Sequence, residues 1–369
     1  MRKTLWVLLV LASAQAQSSK KPDKPVTYTI DLTRPGEKRP TILTVKLPAR
    51  FWQHSDHPPA WAPGTAVRRG WGTAWIVQKD YFSTYSQGHV FLEIEEMGKR
   101  KLKAAADSYR KAIPEICKKG QQTLRGKVGR LKRAKKFRLG RKKTAGYTIS
   151  YKVTPQGVGG NVSDVTTALL FEVNGHLVVV TVIKFGATDY YPVVSQALSV
   201  ANKWPTTPTP FKLIDLTGGV IKFLTYDIPG ELRRVYRHEH GRPDAKWEQH
   251  KNGQRLARLT LAVATLDGKS LEDYVKERIS RYKDHYDQVS KAKEVSVGGR
   301  KGLWLTFVDD SKEEEPAVRN VHKAFFKLHR DVWTWTYEVF GEDAKRIAAA
   351  PKQLEALLAK AVMWRSREK

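Results

Sequence analysis

Residues 293–307 read Lys293-Glu-Val-Ser-Val-Gly-Gly-Arg-Lys-Gly-Leu-Trp-Leu-Thr-Phe307, and residues 322–340 read His322-Lys-Ala-Phe-Phe-Lys-Leu-His-Arg-Asp-Val-Trp-Thr-Trp-Thr-Tyr-Glu-Val-Phe340. Leu303, Leu305 and Phe307 alternate with Trp304 and Thr306, and Val332, Thr334, Thr336 and Glu338 alternate with Trp333, Trp335, Tyr337 and Val339. A period of two, rich in aromatic and β-branched residues, marks strands with a buried face. Gly298-Gly299, the acidic loop around Glu313-Glu-Glu315 and Arg330-Asp331 supply the turns, so the block is expected to be an antiparallel meander. Strand aromatics of this kind belong to a core more readily than to a binding platform.

Working outward, the same order of landmarks occurs earlier. Lys136-Phe-Arg-Leu139 and Gly146-Tyr-Thr-Ile-Ser-Tyr151 stand as Glu294–Val297 and Gly302–Phe307 do. Ala168–Val173, the turn Asn174-Gly175 and His176–Val182 match the second strand pair. Pro192 and Trp204 answer to Pro351 and Trp364, and the strand ending at Pro48 answers to the one ending at Pro229. This ordering implies two copies of one unit of about 150 residues, consistent with ordinary domain size. Tyr147, Ile149 and Tyr151 are then the counterparts of Leu303, Leu305 and Phe307 on one face of a strand.

Each copy reads as a strand ending in proline, an irregular loop, a strand, a helix, a four-strand meander and a closing helix. Val26–Leu32, Thr41–Leu47 and Val90–Ile94 are strand-like, and Leu102, Ala105, Ala106, Tyr109, Ala112, Ile113 and Ile116 form a helical stripe. In the second copy Leu259–Ala264 is a strand, and Ser270 with Asp273 suits a capping box ahead of the stripe Leu271, Tyr274, Val275, Ile279 and Tyr282. Closing helices are expected from Pro192 and Pro351 as first-turn prolines. Helices combined with antiparallel strands give an α+β layered fold. The proline after the first strand (Pro48, Pro229), the helix before a glycine-marked strand pair (Gly146, Gly302) and the closing helix near Trp204 or Trp364 resemble the PsbP-like family of α/β/α sandwiches. That resemblance implies tandem PsbP-like domains and a non-catalytic binding or assembly role. It transfers no site residue, and the tryptophan-rich loop and the basic segment depart from it.

The chain opens with Met1-Arg-Lys-Thr4, an apolar run Leu5–Leu11 and Ala12-Ser-Ala-Gln-Ala16, the pattern of a secretory signal peptide cleaved after Ala16. The expected organisation is 1–16 signal peptide, 17–25 disordered leader, 26–204 first α+β domain, 205–210 Pro/Thr linker and 211–369 second α+β domain. The mature chain is expected to be exported, periplasmic or extracellular, with no transmembrane segment. The single cysteine, Cys117, cannot form an internal disulfide, so stability rests on ordinary cores.

The formal charge is +29 over 369 residues. Residues 1–210 hold 35 Lys and Arg against 13 Asp and Glu, while 211–369 hold 31 against 24. Residues 99–143 alone carry 19 basic side chains against Asp107 and Glu115. Such a local excess speaks about partners rather than fold. Lys118, Lys119, Arg125, Lys127, Arg130, Lys132, Arg133, Lys135, Lys136, Arg141, Lys142 and Lys143 are the candidate anion-binding residues, the alternative being a solvated face. Trp52, Trp61, Trp71 and Trp75, set among prolines and glycines in residues 51–75, are expected in an irregular loop. They form either a self-packed cover or an aromatic platform.

No nucleophile elbow, zinc-protease helix, paired Cys-x-x-Cys or phosphate loop occurs, and no cofactor is implied. His238, His240 and His250 are the metal candidates, against a solvated polar loop. Asp309-Asp310 with Glu313, Glu314 and Glu315 lacks the pattern of a calcium loop and suits a hairpin tip. Gln156-Gly-Val-Gly-Gly160 suits another. The functional expectation is therefore a non-catalytic exported protein that binds an anionic envelope polymer, lipid head group or acidic protein through its basic first half. The alternative is an envelope-acting hydrolase built on the histidines. Nucleic acid fits the charge but neither the export signal nor any recognition motif.

Overall fold

The computed structural model describes residues 25–34, 36–54, 71–78, 86–119, 122–124, 129–134, 137–139, 142–155, 164–184, 188–204, 209–215, 222–229, 231–235, 245–251, 254–297, 300–309 and 319–365. The expected signal peptide, nearly all of the leader, Trp61, the 156–160 hairpin tip and Asp310–Glu315 lie outside the described residues.

The first half runs β1 (Val26–Asp31), β2 (Ile42–Leu47), β3 (Phe51–His54), β4 (Trp71–Gln78), β5 (Ser86–Glu96), α1 (Leu102–Lys119), β6 (Gln122–Leu124), β7 (Lys132–Arg133), β8 (Arg138–Leu139), β9 (Lys142–Lys143), β10 (Gly146–Pro155), β11 (Asp164–Val173), β12 (His176–Lys184), α2 (Tyr191–Ala197) and β13 (Leu198–Ala201). The second runs β14 (Thr209–Asp215), β15 (Lys222–Ile228), β16 (Arg233–Arg234), β17 (Ala245–Lys251), β18 (Gln254–Thr265), α3 (Leu271–Lys283), β19 (Lys293–Val297), β20 (Arg300–Asp309), β21 (Arg319–Leu328), β22 (Asp331–Phe340), α4 (Ala344–Ala359) and β23 (Val362–Arg365). The protein is α+β: four helices among the described residues, with sheets whose pairings are antiparallel apart from one.

The meander β19-β20-β21-β22 forms as its alternation requires. The turn closing β21 onto β22 is His329–Arg330, one residue earlier than expected, because Leu328 pairs with Asp331. Asn174 (φ 50°) and Gly175 (φ 72°) both take the left-handed conformation that a two-residue hairpin demands. Strand orders β3-β4-β5-β12-β11-β10 and β16-β17-β18-β22-β21-β20 correspond one to one, as do β1-β2-β13 and β14-β15-β23. Phe51 N–H donates to the Pro48 carbonyl at 3.0 Å, and Leu232 N–H donates to the Pro229 carbonyl at 3.0 Å.

Each long sheet buries two faces. On one side of the first sheet, α1 covers Ile149, Tyr151, Ala168, Leu170, Leu177 and Val179. In the second, α3 covers Leu305, Phe307, Val321, Phe325 and Val332. Tyr147 and Leu303 border these clusters, so the expected pairing of the two stripes holds. The opposite faces contribute to one core that runs through both halves, from Val26 and Trp75 to Trp247, Trp333, Trp335 and Leu358.

Several expectations are revised. One buried cluster draws residues from both halves of the chain. Residues 205–208 lie outside the described ones, Thr209 and Pro210 begin β14, and β14 pairs in parallel with β3 across the boundary. The Phe51–Trp75 stretch is not all loop, since β3 and β4 occupy its ends. α2 is short because Leu198–Ala201 leave the helix to pair with β2. Pro351 lies inside α4 instead of in its first turn, because Asp343 caps that helix eight residues earlier by accepting from the backbone N–H groups of Lys345 and Arg346. Trp204 is in no strand while Trp364 pairs with Phe223, so these two do not correspond. The strand expected at Lys136–Leu139 reaches only Arg138–Leu139 and pairs with β9, while β6 and β7 take the edge of β10.

Candidate functional site

The basic segment divides between helix and sheet edge. Lys118 and Lys119 end α1, and Lys142 lies on β9. Arg125, Lys127, Lys135, Lys136 and Arg141 lie outside the described residues. Arg130, Lys132, Arg133, Arg138 and Lys143 are exposed, and among the described residues none of the five has a carboxylate partner. Phe137 and Leu139 are buried in the core, which fixes the short β8–β9 ribbon with Arg138 outward. Arg138 and Lys143 are cross-strand partners. Like charges directly opposite one another destabilise a ribbon unless a counterion sits between them.

Of the four tryptophans, Trp52 and Trp75 are turned away from the surface. Trp52 and Trp75 are buried at 1% and 0% exposure, Trp71 is on β4, and Trp61 lies outside the described residues. The physical reason is pairing: β3 and β4 join the sheet, which turns Trp75 into the core against Tyr28. The metal reading fares no better within the described residues. His238 and His240 lie outside them, and no group of His, Cys, Asp and Glu among the described residues is disposed to hold an ion. His250 Nε2 instead lies 2.9 Å from Glu248 Oε2.

The α3 side of the second sheet holds charge that the sequence reading missed. Glu248 on β17, Arg258 on β18 and Glu338 on β22 are successive cross-strand partners. Arg258 Nε donates to Glu248 Oε1 at 3.3 Å, and Arg258 Nη1 donates to Glu338 Oε2 at 3.2 Å. Arg319 on β21 lies with Nη1 3.5 Å from Glu338 Oε1, and its Nε donates to Asp309 Oδ2 on β20 at 2.7 Å. Alternating charges thus cross five strands, nearly all of them buried. Burial alone would raise the Glu248 carboxyl. The His250 hydrogen bond and the Arg255, Lys246 and Arg258 charges outweigh it and hold the group down at about 2.

Beside this ladder a cleft of about 560 Å³ opens between α3 and the sheet. Thr260, Ala262, Thr334 and Thr336 form its floor, Tyr274, Arg278 and Tyr282 its helical wall, and Lys246, Arg258 and Lys323 bring further positive charge. α3 is placed by its cap, where Ser270 Oγ accepts from Asp273 N–H at 3.0 Å, and by Leu271 and Val275 beneath it. The volume is that of a small-molecule site, and Lys246, Arg258, Arg278 and Lys323 line it together with one carboxylate, Glu338. In sequence, Thr334-x-Thr336-x-Glu338 and Arg258-x-Thr260 read as an ordinary solvent face, because period two identifies a face without saying what covers it.

In comparison with known proteins, no family model and no curated protein matches this chain.

Proposed function

We propose that this chain is a non-catalytic binding or assembly protein built of tandem PsbP-like units, and that its basic first half engages an anionic partner. The observation that carries this reading is the Arg138–Lys143 pair: two cations held opposite one another at an exposed edge, with Arg130, Lys132 and Arg133 also exposed in the same basic segment. Holding such a group together costs free energy that an anionic polymer, lipid head group or acidic protein would return by displacing small counterions. The opening residues suit export, so the partner is placed in the periplasm or outside the cell. The identical strand orders of the halves support the tandem reading.

The test is binding of the mature protein to an anionic polysaccharide and to vesicles with anionic head groups, at low and high salt. Binding should be present at low salt, fall steeply as salt rises, and weaken in the double variant Arg138→Ala, Lys143→Ala. No binding at low salt, or binding indifferent to salt, overturns the reading.

A further inference from the structure

The second half opens a cleft between its sheet and α3. At one level of each long sheet, the residues facing the helix lie side by side across the strands. In the first sheet that row is Ala168, Thr181 and Phe91. The corresponding row of the second sheet is Lys323, Thr336, Thr260 and Lys246. In the first sheet Ala168 is fully buried and Tyr109 Oη lies 3.3 Å from Thr181 Oγ1, so helix and sheet close on each other. In the second, the same level opens into the cleft. The scaffold therefore does not require a lysine at 323.

Two cations of the cleft, Lys323 and Arg278, are each held by a tyrosine. Lys323 Nζ donates to Tyr282 Oη at 3.1 Å and lies 4.8 Å over that ring. Arg278 Nη2 donates to Tyr274 Oη at 3.0 Å and lies 5.0 Å over its ring. A neutral phenol and a ring face orient a cation without neutralising it. Among the described residues neither Lys323 nor Arg278 has a carboxylate partner. Arg258, by contrast, meets Glu248 and Glu338, and Lys246 lies 3.6 Å from Glu248. Two positioned positive charges thus face two threonine hydroxyls that accept or donate.

We infer that this cleft binds a small hydroxylated organic anion, its carboxylate or phosphate held by Lys323 and Arg278 and its hydroxyls by Thr260 and Thr336. This site is separate from the basic edge of the first half and does not depend on it.

The experiment is calorimetric titration of the full mature chain with glucuronate, glucose 6-phosphate and glucose. Saturable millimolar or tighter binding of one or both anions, with none of glucose, is expected, and the two anions tell carboxylate from phosphate. Lys323→Met should weaken that binding by about tenfold or more, and Thr336→Val should weaken it less. Arg138→Ala with Lys143→Ala should leave it unchanged while weakening salt-sensitive polymer binding, so the two proposals fail separately. If neither anion binds, if glucose binds equally, or if both folded variants bind as the parent does, the inference is overturned. Melting curves establish folding, and if Lys323→Met does not fold, Arg278→Gln takes its place.

Discussion

Trp75 and Trp247 stand at one register position in two sheets of the same strand order. Trp75 is opposite Val90 and has Tyr28 edge-on at 5.2 Å; Trp247 is opposite Leu259 and has Phe211 edge-on at 5.0 Å. Both indoles belong to the core that joins the halves. Replacing either by alanine should cost about 3–5 kcal/mol, the range for a deleted buried aromatic. Because the core is continuous, urea unfolding followed by probes in each half should show one transition, shifted in both halves by either variant. Two separable transitions would contradict a shared core.

Gly302 and Gly146 face the ring-bearing residues Phe326 and Phe171 across their sheets. A Cβ on Gly302 would overlap the Phe326 ring and reach the Phe325 carbonyl at 2.5 Å, whereas one on Gly146 would first meet the Leu170 carbonyl at 3.1 Å. Gly302→Ala should therefore destabilise by about 1–3 kcal/mol, as overpacking does, and Gly146→Ala by less. Denaturant midpoints of the two variants decide the order.

Glu248 anchors the charge ladder, and its carboxyl is held near 2. A carboxyl depressed in the folded state contributes stability that is present above its unfolded value of 4.5 and lost as pH falls towards 2. Glu248→Gln should cost roughly 3 kcal/mol at neutral pH, because Lys246 keeps its burial and loses its counterion, while Arg258 is left with Glu338 alone. It should also flatten acid unfolding between those two values, which stability measured against pH would show.

His322 is buried edge-on to Trp304, and burial pushes its pKa down to about 4. Its unfolded form takes up a proton near 6.5 and its folded form only near 4, so acidification across that window favours unfolding. His322→Leu should remove this sensitivity, on the order of 2 kcal/mol between the two pH limits. Comparing the variant's stability at pH 7 and pH 4.5 with the parent's tests it.

Lys143→Glu turns the like-charged Arg138 pair into an opposite-charged one. The ribbon should gain about 0.5 kcal/mol, while binding to anionic polymers falls. A variant that becomes more stable and still binds undiminished would show that the edge is only a solvated face.

What the sequence determined by itself was local. The alternation in Leu303–Phe307 and Val332–Val339, the Asn174-Gly175 turn, the Ser270 cap and the helical stripes each depend on neighbours within a few residues, and each is where those patterns require. The repeated strand order was also legible, because Pro48 with Pro229 and Gly146 with Gly302 mark corresponding positions in both halves. What only the tertiary structure decided was which side chains meet. β3 and β4 join the sheet and bury Trp52 and Trp75, although their flanking prolines and glycines read as loop. The β14–β3 pairing makes one core of two, although Pro205–Pro210 reads as a linker. Lys323, Thr336, Thr260 and Lys246 form one row although they are scattered over some ninety residues of sequence. Period two assigns a residue to a face, but cross-strand register and the reach of the covering helix decide whether that face is packed shut, as beneath α1, or left open, as beneath α3.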